Sequence, residues 1–127
     1  MFYVVDTEKS FEEASLDLEI ESKKLGFGVL HVHNMGETLR SKGIDFKENC
    51  KIFEVCNPVQ ANKIINIEMR LNMALPCKMS VYTENGSTKI GMIKPADMFS
   101  TLSDDVDLLE VTKEIESTTI KIIDNTK

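Results

Sequence analysis

No segment of this sequence approaches the roughly 18 consecutive apolar residues of a membrane span. The most apolar opening, MFYVVDT, is strand-sized, and neither a membrane location nor a secretory leader is expected. A concentrated basic surface is also missing. The longest basic cluster is Lys23-Lys24 and the net charge is −6. Nucleic acid is therefore not an expected partner, because binding it by counterion release needs clustered Lys and Arg. The chain lacks a phosphate-cradling glycine loop and a G-x-S-x-G elbow. It has no C-x-x-C and no second Cys/His couple at zinc spacing. With these signatures absent no catalytic residue is assigned, and a binding module is expected ahead of an enzyme. Internal repeats and low-complexity linkers are missing too.

What is present fits one domain spanning residues 1–127. A chain of this length buries enough surface to need neither disulfide nor metal. The 42% hydrophobic and 28% charged content suits a soluble globular protein. Three cysteines, an odd count without a secretory signal, point to a reducing cytoplasm and free thiols.

Along the chain, FYVV is β-branched and aromatic and predicts a strand. SFEEASLDLEIESKKLG predicts a helix, with Ser10 and Glu13 as a capping box and Gly26 as the stop. FGVLHVH predicts a second strand. Strict alternation puts Gly28, Leu30 and Val32 on one face, and Phe27, Val29, His31 and His33 on the other. NMGETLRSKG is a short helix, opened by Asn34 and closed by Gly43. CKIFEVC is a third strand. Asn57 caps the next helix, Pro58 occupies its first position, and Gln60 completes a capping box. CKMSVYTE and STKIGMI are strands joined at Asn85-Gly86, the strongest hairpin signal here. KPADMFS is a brief turn or helix. SDDVDLLEVTKEIESTTIKIID is the last helix, with Ser103 as its cap, solvated acids in its first turn, and Leu108, Val111, Ile115 and Ile122 as its buried stripe. The order β-α-β-α-β-α-β-β-α gives an α+β sandwich, with helices on one face of a sheet that is not wholly parallel.

Several motifs share one order and spacing. They are Gly26-Phe27-Gly28-Val29-Leu30, Thr38-Leu39, Lys42-Gly43, Asp45-Phe46, Cys56-Asn57-Pro58 with Ala61, Leu75-Pro76-Cys77, and Pro95 with Met98. Together they resemble the small uncharacterised prokaryotic family known as domain of unknown function 302. The resemblance covers nearly the whole chain. It implies a sandwich like that of the TATA-box-binding protein, a mostly antiparallel sheet and a homodimer, and it implies no established activity. His31 and His33 stand where that family more usually has hydroxyl or acidic residues.

Chemistry is expected where Cys56 closes the third strand and Cys77 opens the fourth. Antiparallel pairing, which the resemblance implies, brings the thiols together; parallel pairing puts them at opposite sheet edges. Cys56 precedes a helix N-terminus, whose partial positive charge lowers a thiol pKa. The expected ligand-binding residues are Cys56, Asn57, Pro58, Leu75, Pro76 and Cys77. The open readings are a small ligand or a soft metal held by Cys56 and Cys77, a thiol redox pair, and inert packed thiols in a structural homodimer. Met73 or Met79 is available as a thioether donor. His31 and His33 point the same way from a strand and offer a two-nitrogen metal clip, or a pH-sensitive interface. Cys50 is structural, Glu54 faces solvent, and Met69, Met73, Met79, Met92 and Met98 fill core or line an adaptable pocket. No cofactor is assigned.

Overall fold

A computed structural model describes residues 1–127. Its elements are β1 (Phe2–Thr7), α1 (Phe11–Lys24), β2 (Gly28–Asn34), α2 (Met35–Ser41), β3 (Cys50–Cys56), α3 (Pro58–Ile67), a 3-10 turn (Met69–Ala74), β4 (Cys77–Glu84), β5 (Ser87–Ile93), α4 (Pro95–Ser100) and α5 (Val106–Thr126). The predicted order holds, and KPADMFS is a helix. The five strands lie in the order β1-β5-β4-β3-β2, with every neighbouring pair antiparallel.

Local chemistry accounts for most boundaries. The Ser10 hydroxyl accepts from the Glu13 amide, starting α1. Past its end, Gly26 takes φ +85°, and the Phe27 amide closes back on the Ser22 carbonyl at 2.9 Å. Gly43, at φ +82°, ends α2 in the same way, with the Ile44 amide on the Leu39 carbonyl. Asn85 and Gly86 both have positive φ, as a two-residue type I′ hairpin requires.

Two sequence expectations are corrected. The cap of α5 is Asp105, whose carboxylate accepts from the Leu108 amide at 3.0 Å. The Ser103 hydroxyl, two residues earlier, accepts from the Asp105 amide. The predicted face pattern of β2 also fails. The β2–β3 register slips between Val29 and His31, and this bulge leaves Leu30 63% exposed. One inserted residue resets the alternation. Val32 therefore joins Phe27 and Val29 against the core, while His31 and His33 stand on the opposite face.

The core lies between one sheet face and the helices. Phe53, Val55, Met79, Val81, Ile90 and Met92 project from the strands onto Leu18, Ile64, Phe99, Leu108, Ile115 and Ile122. The buried stripe of α5 also contains Thr112, Thr119 and Thr126, and Val111 lies at its margin. Each threonine hydroxyl donates to the carbonyl four residues back, so its burial leaves no hydroxyl unpartnered. The other sheet face carries no helix. Phe2, Val4 and Ile93 are exposed there, beside a shallow apolar groove of about 260 Å³.

Candidate functional site

β3 and β4 pair antiparallel with Val55 opposite Cys77, so Cys56 lies one residue past the partner of Cys77. Beyond Cys56 the chain turns into α3. The Asn57 side chain accepts from the Val59 and Gln60 amides at 3.1 and 3.2 Å, with Pro58 at the first helical position. The reciprocal half of the predicted capping box is not made. Gln60 Oε1 is buried without a hydrogen-bond partner. On the other strand, the 3-10 turn runs into Leu75-Pro76, a cis peptide bond, and then Cys77.

Phe27, Cys56, Asn57, Gln60, Ala61, Leu75, Pro76 and Cys77 line one small cavity of about 10 Å³. That volume is about one water molecule. Pro76 and Cys77 also border a second cavity of about 120 Å³ on the α4 side, walled by Met79, Met92, Pro95 and Met98. Cys77 thus stands between the two spaces.

All three thiols are free and partly buried. The Cys77 thiol is pushed up to about 11, mainly by burial, with a smaller upward push from Cys56 and an opposing one from Lys78. Both thiols border the smaller cavity. Burial also raises Cys56. This direction is opposite to the lowering expected of the α3 N-terminus, because burial removes hydration from the thiolate. Cys50 is raised by burial as well, partly offset by a hydrogen bond from Ser80.

Comparison with known proteins adds to this geometry. The model of the family described as "Domain of unknown function DUF302" matches residues 3–126. The chain belongs to the DUF302 family. A crystal structure of an uncharacterised conserved DUF302 protein from Bacillus stearothermophilus is 38% identical, with a TM-score of 0.95; the match covers 99% of this chain and 98% of that one. No curated protein matches. Part of the motif set named above, scattered along the sequence, meets here, whereas Thr38-Leu39, Lys42-Gly43 and Asp45-Phe46 do not. Phe27, Cys56, Asn57, Ala61, Leu75, Pro76 and Cys77 border the smaller cavity, and Pro95 and Met98 border the larger.

The histidines of this DUF302 chain belong elsewhere. The His31 and His33 rings pack edge-on with centroids 4.3 Å apart, and His33 Nε2 lies 3.4 Å from Glu54 Oε1. No group of three or more His, Cys, Asp or Glu side chains is gathered closely enough to hold a metal. Cys56, Cys77, His31 and His33 therefore do not form one ligand set. The bulge turns both imidazoles to the helix-free face, whereas Cys77 packs against the core. Met73, suggested as a thioether donor, is 78% exposed, whereas Met79 borders the larger cavity with Cys77. Sequence reasoning named Met79, Met92 and Met98 as core or pocket residues without placing them at one cavity, and it missed the solitary Gln60 carbonyl.

Proposed function

We propose that this protein is a soft-metal-binding module whose site is the Cys56–Cys77 pair. The observation that carries this reading is the pairing of two free thiols on adjacent strands around a space of about 10 Å³. Such a space suits an ion and rejects an organic ligand of several atoms. Thiolates select soft ions such as Cu(I). Because burial raises both thiol pKa values, the empty site rests uncharged in apolar surroundings. Ion capture then displaces the two thiol protons, and two S–metal bonds form. The same raised pKa values weigh against thiol redox catalysis, which needs a thiolate at neutral pH.

The test is anaerobic Cu(I) titration against a chromophoric chelator. Wild type is expected to bind one ion. Cys56→Ser and Cys77→Ser are each expected to lower the affinity at least about tenfold, as when a metal site loses a supporting group. Because protons leave on binding, affinity is expected to rise with pH across the range below the thiol pKa values. Wild-type affinity in both serine variants ends this reading.

The helix-free sheet face supports a second reading, a homodimer. Five strands about 4.8 Å apart, with about 3.4 Å per residue, give a footprint on the order of 600 Å² before side-chain relief. That approaches the about 800 Å² per partner of a standard interface. Phe2, Val4 and Ile93 supply apolar surface, and Lys89–Asp6, paired at 2.8 Å, keeps one flank neutral in a chain of charge −6. The occupant argued for is a second copy of this chain.

A further inference from the structure

The middle of the helix-free sheet face is hollow because two small residues meet there. Antiparallel register sets Val4, Gly91, Ser80 and Ile52 side by side across β1, β5, β4 and β3. Their strand neighbours Ile90, Val81 and Phe53 face the core, so this row faces outward. Gly91 and Ser80, at its centre, present almost no side chain. A Cβ on Gly91 would lie 2.8 Å from Val4 Cγ2 and 3.0 Å from the Tyr3 carbonyl oxygen, so the floor has no room for a larger residue there. The rows on either side stand taller. Phe2 pairs with Ile93 in one, which Lys78 of β4 extends, and Tyr82 pairs with Lys89 in the other. The result is the groove of about 260 Å³, bordered by Phe2, Val4, Ile52, Ile93, Tyr82 and Lys78.

Charge at the rim is unbalanced. Lys89 is paired with Asp6 at 2.8 Å. Glu54 stands opposite Lys78 on β3, but its carboxylate reaches to His33 of β2 at 3.4 Å. Lys78 is exposed and joins no ion pair. An apolar trough with one convergent, unpaired cation has the character of a site for an apolar anion.

We propose that this groove binds a small aromatic carboxylate, its ring lying over Gly91 and Ser80 and its carboxylate on the Lys78 ammonium. The inference goes beyond both readings above and uses neither the thiols nor a partner subunit. A flat ring suits a floor made mostly of backbone, and Phe2 and Tyr82 in the flanking rows offer it aromatic edges. The volume limits the occupant to about one or two rings, since it lies just below the range of drug-sized pockets. A second copy of the chain is the rival occupant. A two-fold copy centred on this face would set trough against trough and leave both unfilled, whereas stable interfaces pack as densely as protein interiors.

The test uses the full-length, reduced chain at neutral pH. The probes are 2-naphthoate, its uncharged counterpart 2-naphthamide, and decanoate, a carboxylate without a ring. In an NMR titration, 2-naphthoate is expected to move the backbone amide signals of Val4, Ser80 and Gly91 first. It is expected to bind about fivefold tighter than the amide, near the upper limit for an exposed ion pair, and tighter than decanoate. Lys78→Met keeps the apolar stem and is expected to remove the preference for the acid while leaving the affinity for 2-naphthamide unchanged, which shows that the groove is intact. Ser80→Leu fills the floor and is expected to abolish binding of both naphthyl probes. Equal affinity for acid and amide in wild type, an unchanged preference in Lys78→Met, decanoate binding as tightly as 2-naphthoate, or shifts confined to other residues would each overturn the inference. Signals of this face that move with protein concentration while no probe binds would overturn it in favour of a second copy. None of these outcomes bears on Cu(I) binding at the thiol pair.

Discussion

At the scale of single residues, the cysteines set what the molecule does with sulfur. Cys77 is pushed up to about 11, first by burial and then by the Cys56 charge. At neutral pH its thiolate fraction is therefore far below that of an exposed cysteine. Modification by a disulfide reagent is expected to be slow in the native protein and fast after unfolding. The rate should climb with pH, with Cys77 the last to respond. Thiol counting in native and denatured protein between neutral pH and about pH 10 checks this. Rapid formation of a Cys56–Cys77 disulfide by mild oxidant at neutral pH would instead favour the redox reading. The identity and position of these cysteines were legible in the sequence. The sign of their pKa shifts was not, because a helix N-terminus and burial pull in opposite directions and only the packed structure says how much water is left. Gln60 shows the same limit. Its spacing from Asn57 predicts a reciprocal cap, yet its side-chain oxygen lies partnerless at the cavity.

Among the elements, α3 ties the site to the fold. Asn57 satisfies two amides at its start, and its neighbour Cys56 is half of the thiol pair. Asn57→Ala is expected to cost about 1 kcal/mol of stability, with Asn57→Asp recovering most of it. Urea unfolding of both variants is the measurement, and an unchanged alanine midpoint would show that water replaces the cap without cost. Helix starts and stops were legible at Ser10, Gly26, Asn34, Gly43 and Asn57, because each rests on a local side-chain or backbone bond. The cap of α5 was misplaced at Ser103, since Ser103 and Asp105 are both good capping residues two positions apart. The face of β2 was mispredicted for a different reason. A bulge adds one residue to a strand only in relation to its partner, so the phase of Val32, His31 and His33 depends on β3 and cannot be seen in β2 alone. Periodicity also passed over Thr112, Thr119 and Thr126, which are hidden in α5 because each bonds its own helix.

For the whole molecule, the bare side of the sheet matters most. A Phe2→Asp substitution lies at a residue 73% exposed, so it is expected to leave folding nearly unchanged. If two copies meet on this face, the substitution places like charges at their contact and shifts wild-type dimer to monomer. Sedimentation of wild type and Phe2→Asp across a concentration series reads this directly. A wild type that sediments as a monomer throughout rejects the second reading.

The sequence by itself determined the element order, the hairpin at Asn85-Gly86, most helix ends, and the presence of two cysteines at strand ends, because local bonds and side-chain periodicity encode these. Only the tertiary structure decided that β3 and β4 run antiparallel with Val55 opposite Cys77, that a bulge separates the histidines from the cysteines, and that methionines from β4, β5 and α4 surround one chamber. Those facts concern residues far apart along the chain. Strand register and burial, which brought them together, are properties of the packed sheet and its helices, not of any one segment.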